Sequence, residues 1–136
     1  MHEIGLIFSN LEKYDKAKEL IERLLEIKRN ILPENHQSIA FSLHDLGYVS
    51  YCLGDKLRAI ELYEQALDMK ILTLPKNHKL IANTMHGLGL VYYSLGDYNK
   101  AEELLTNALE ILRKTMSEFA PIIQDIVSRL QSLQSF

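Results

Sequence analysis

The chain has 136 residues, enough for one core and too few for two ordinary domains. At 47% hydrophobic and 24% charged residues it is globular rather than disordered, and a net charge of -3 with a pI near 5.9 offers no general attraction to nucleic acid or acidic lipid. Cys52 is the only cysteine, which excludes an internal disulfide; no run is long enough to span a bilayer and no leader opens the chain, so neither membrane nor nucleic acid is expected as a partner and the setting reads as cytoplasmic.

Taken in chain order, one block occurs three times at a period of 42 residues, starting at Ile4, Leu46 and Leu88. In the central copy Ala40, Leu43, Leu46, Gly47 and Ser50 are spaced three or four apart and share one helix face. Gly54-Asp55 then interrupts, a pair suited to end one helix in the left-handed conformation and to cap the next. A second helical run follows through Ala59, Ile60, Leu62, Tyr63, Ala66, Leu67 and Met69, so each unit reads as two antiparallel helices. Gly47 and Gly89 on the first helix, and Ala17, Ala59 and Ala101 on the second, hold the places where the pair must approach closely; Ile21, Tyr63 and Leu105, then Leu24, Ala66 and Ala108, stand beside them. The connectors Leu32-Pro33-Glu34-Asn35-His36 and Leu74-Pro75-Lys76-Asn77-His78 mark unit boundaries: proline cannot continue a helix, and the asparagines suit a turn or a cap.

The leucine-glycine pair, the tyrosine and glycine-aspartate after it, the alanine-aromatic-alanine spacing and the Leu-Pro-x-Asn-His connector together resemble tetratricopeptide repeats. The 42-residue period is similar to the longer variety of kinesin light chains. What the resemblance implies is an all-α, right-handed superhelix of antiparallel helix pairs, a single domain over 1–136, whose inner groove binds peptides or protein segments. The units run 1–36, 37–78 and 79–117, with a capping helix over 118–136.

The ends depart from the pattern. Toward the C-terminus Ala40 and Ala82 give way to Gln124, and Gly47 and Gly89 to Gln131, so the last helix, with Pro121 in its first turn, reads as a polar-faced cap. Toward the N-terminus the first helix is short, and Glu12-Lys13 replaces glycine-aspartate, which makes the first turn irregular. Two explanations stand: a cut within a longer array, or an exposed helical edge that pairs with another copy of the chain.

The first-type helices leave one stripe unused for packing, which the resemblance assigns to the groove. It comprises His2, Asn10, Phe41, His44, Asp45, Tyr48, Tyr51, Asn83, His86, Leu90 and Tyr93. Tyrosines bury large area with few rotors and are good anchors. The plainer alternative is that Phe41, Tyr48 and Leu90 pack on the neighbouring first-type helix. His2, His44 and His86 recur in register and raise the question of zinc, but helices packed about 8–10 Å apart cannot bring such positions to one ion that holds its ligands at about 2 Å. No metal or other cofactor is expected. His36 and His78 read as structural.

Chaperone-tail-binding repeats carry lysine, arginine and asparagine in the groove, whereas the matching positions here, His2, Leu6, Asp45, Asn83 and Gly87, lack a cation. A protein or peptide partner with apolar, aromatic or basic side chains fits better than an acidic one. No phosphate loop, nucleophile elbow or cysteine-histidine motif points to catalysis. The expected function is a non-catalytic protein-binding adaptor; the alternatives are a self-associating scaffold fragment and a regulatory segment of a larger protein.

Overall fold

The computed structural model describes the backbone of residues 2–34 and 36–134 and the side chains of residues 11–34 and 36–133. Among these, six helices and no strand occur: α1 (His2–Ile31), α2 (Gln37–Cys52), α3 (Lys56–Thr73), α4 (Lys79–Leu95), α5 (Tyr98–Arg113) and α6 (Pro121–Gln134). The chain divides into two compact units, Met1–Met69 and Lys70–Phe136; α3 enters the second only with its last turn.

The punctuation works as the sequence implies. Gly54 and Gly96 stand at φ 87° and 84°, the left-handed region that costs glycine nothing and other residues a clash with their own Cβ. One residue on, the carboxylates of Asp55 and Asp97 accept from the amides of Arg58 (3.2 Å) and Lys100 (3.4 Å), satisfying donors that the first turn leaves over. At the other connectors the cap falls to histidine rather than asparagine: Nδ1 of His36 accepts from Ser38 N at 3.0 Å, and Nδ1 of His78 from Leu80 N at 3.1 Å. Asn77 instead takes the turn itself, at φ 67°.

In the first unit Ile39, Leu43 and Leu46 of α2 meet Leu25 of α1 and Leu62 and Ala66 of α3, with Ile21, Leu32 and Met69 closing the edges. Gly47 allows the close approach: a Cβ there would stand 3.2 Å from the ring of Tyr63. The second unit repeats the arrangement with Gly89 against Leu105, where a Cβ would come to 2.9 Å. Ala82, Ala108, Leu112, Ile123 and Ile126 complete that core, and α6 packs on α5. Gln124 and Gln131 are exposed, the polar face expected of a cap.

The first unit departs from the pattern. Where two helices with an irregular turn were expected, α1 is one continuous helix of 30 residues. The reason is local: Glu12 and Lys13 favour helix and cannot adopt the left-handed break without strain, and Glu12 pairs with Lys16 across the place where the turn would fall, at 3.4 Å. Leu24, expected to interlock like Ala66 and Ala108, is therefore 46% exposed.

Candidate functional site

His2 and Asn10 lie outside the residues whose side chains are described. In the first unit, α2 sets Phe41, Asp45 and Tyr48 on one exposed stripe, at spacings of four and three residues; Phe41 is 41% and Tyr48 51% exposed. His44 is half-buried, its ring edge-on to Tyr63 at 5.1 Å between centroids. Tyr51 and Cys52 are half-buried as well. A hydrogen bond to Cys52, with further contributions from burial and Tyr14, pushes the Tyr48 hydroxyl up to about 12. Burial drives the Tyr63 hydroxyl higher still.

In the second unit the predicted residues are drawn into contacts with α6. His86 Nε2 donates to Asp125 Oδ2 at 2.8 Å, and Arg129 Nε donates to both oxygens of the same carboxylate at 3.2 Å. Burial would raise the Asp125 carboxyl; the hydrogen bonds from His86 and Arg129 outweigh it and hold the group below its ordinary value of 3.8. Tyr93 shares a hydrogen bond with Ser132 Oγ at 3.1 Å, stacks edge-on with Tyr98, and lies under the Arg129 guanidinium at 5.4 Å. Asn83 and Leu90 are half-buried. The sequence reading favoured Tyr51 and Tyr93 as the open anchors over Phe41 and Tyr48; the exposures run the other way.

Two features were missed. Lys28 Nζ donates to Ser42 Oγ at 2.8 Å, and Lys70 Nζ to Thr84 Oγ1 at 2.7 Å, one polar pair per unit with Lys70 only 3% exposed. The signal was present, since both members recur at the repeat period. The Asp125-Arg129 clasp had no such signal, because the same register carries Phe41 and Asp45, then Asn83 and Gly87, in the earlier copies. Among the described residues, no three histidine, cysteine, aspartate or glutamate side chains could hold one metal ion. No described helix is long and apolar enough to cross a membrane.

The sequence profile described as tetratricopeptide repeat matches residues 1–71 and 73–114. The chain belongs to the tetratricopeptide repeat family. Among solved structures, it is similar to the nearly identical TPR-like repeats of a putative kinesin light chain from Podosopora anserina, at 26% identity and a TM-score of 0.83 over 97% of this chain and 63% of that one. A second crystal structure of those repeats gives the same score over 62% of its length. BtubC (BKLC) from P. vanneervenii shares the fold, with a TM-score of 0.73 at 18% identity, over 90% of this chain and 54% of that one. This tetratricopeptide chain therefore spans less than two thirds of the solved chains it resembles. No curated protein matches it.

Proposed function

We propose that the chain is a non-catalytic binding module that holds a protein or peptide segment against the exposed faces of its first-type helices. The observation that carries this reading is the α2 stripe: two large aromatics stand open to solvent beside the exposed Asp45 on a rigid helix. Aromatic anchors on a fixed scaffold bind at low entropic cost. A neighbouring carboxylate favours a basic group on the partner and repels an acidic one. In the second unit Asn83 and Leu90 are the corresponding candidates on α4, beside His86 and Tyr93, which α6 engages.

A displayed-peptide library panned on the whole chain tests the reading. Selected peptides should be rich in aromatic and basic residues, and Phe41→Ala with Tyr48→Ala should weaken them at least tenfold while helix content stays unchanged. Undiminished binding by that variant, or selection of acidic peptides, overturns it. Self-association is the second reading, favoured by the exposed apolar side of α1.

A further inference from the structure

The second-type segment of α1 exposes the face that its counterparts bury. Leu20, Leu24 and Ile27 are 64%, 46% and 55% exposed, with Ile31 beyond them at 73%. One repeat later the same register holds Leu62 and Ala66 at 1% and 0%, and two repeats later Ala108 and Ile111 at 0% and 6%. In those units the face is covered by the first-type helix of the same hairpin, α2 or α4, which returns through glycine-aspartate. The other side of α1 is occupied, since Leu25 is buried in the α2 core with Leu32 beside it; Ile21, half-buried at the edge of that core, borders the open face.

The sequence that should cover this face is present in the chain. Ile4, Gly5, Phe8 and Leu11 repeat the register of Leu46, Gly47, Ser50 and Leu53, and of Leu88, Gly89, Tyr92 and Leu95. It cannot cover its own helix. Gly5 should meet Ile21 as Gly47 meets Tyr63, yet in one continuous α-helix those positions stand roughly 24 Å apart, at about 1.5 Å per residue. A second copy supplies what the first cannot reach.

We propose that two copies of this chain exchange the N-terminal segments of α1. Two α1 helices lie antiparallel with their two-fold axis at Lys13, so that Gly5 of each copy meets Ile21 of the other. The open face around Leu20 and Leu24 is then covered in each copy by the segment its register calls for, in a closed, symmetric dimer. The junction Glu12-Lys13 is the switch: in place of glycine-aspartate it holds the hairpin open and leaves exchange as the way to complete the unit. The inference is independent of the groove reading, which concerns other residues.

Light scattering of the whole chain from micromolar to several hundred micromolar tests it. The parent chain is expected to be dimeric at the upper end. Glu12→Gly with Lys13→Asp restores the turn that the other units carry and should give a monomer of equal helix content. Leu20→Glu, at a side chain 64% exposed and so harmless to the monomer, should also abolish the dimer. A parent chain that stays monomeric throughout, or a dimer that survives either change, overturns the proposal.

Discussion

At the scale of single residues, the two close-approach glycines are not equivalent. A methyl group at position 47 would meet the Tyr63 ring at 3.2–3.3 Å, a contact the ring can relieve by a small shift; at position 89 it would meet Leu105 Cδ2 at 2.9 Å and Cγ at 3.0 Å. Alanine in a helix interior gains about 0.8–1 kcal/mol over glycine, whereas overpacking a core costs about 1–3 kcal/mol. Gly47→Ala should therefore leave stability nearly unchanged and Gly89→Ala should lower it, an ordering that denaturant midpoints will read. The buried lysine gives a sharper contrast. Thr84→Val removes a hydroxyl that Lys70 donates to, and should cost about 1–3 kcal/mol because a charged donor loses an acceptor away from water. Lys70→Leu combined with Thr84→Ile copies the third register, where Leu112 and Ile126 are fully buried, and should be nearly neutral in the same assay.

At the scale of the element, α6 packs on α5 and also clasps α4. Asp125 lies below its ordinary value in the folded chain, so it binds its proton more weakly there than when unfolded. Its contribution to stability is therefore present above the unfolded value near 3.8 and is lost as pH falls through the lower, folded value. Asp125→Asn should flatten the acid limb of the stability curve below about pH 4, a window set by the ordinary carboxylate value. Chemical denaturation at stepped pH compares the two; acid limbs of equal slope would mean that the clasp contributes nothing. α1 teaches the opposite lesson about helix ends, since replacing one glycine-aspartate by two helix formers turned a predicted hairpin into a single rod.

At the scale of the whole molecule, exchange of α1 segments couples folding to concentration. A dimer that forms only from folded chains raises the unfolding temperature as protein concentration rises. The parent chain should show this shift in thermal scans, and Glu12→Gly with Lys13→Asp should remove it. The second and third hairpins, their glycine hinges and the polar face of the last helix were legible without coordinates, because contacts inside a hairpin are short in sequence and recur in register. Tertiary structure alone decided which residues of the first-type stripe stay open. Exposure depends on what a neighbouring element sets opposite a side chain, and Asp125, Arg129 and Ser132 reach His86 and Tyr93 from a helix whose residues at those registers have no likeness in the earlier copies. It also decided that α1 runs straight, since a period reports where a turn would be and only the local balance of helix propensity against left-handed strain determines whether the chain takes it.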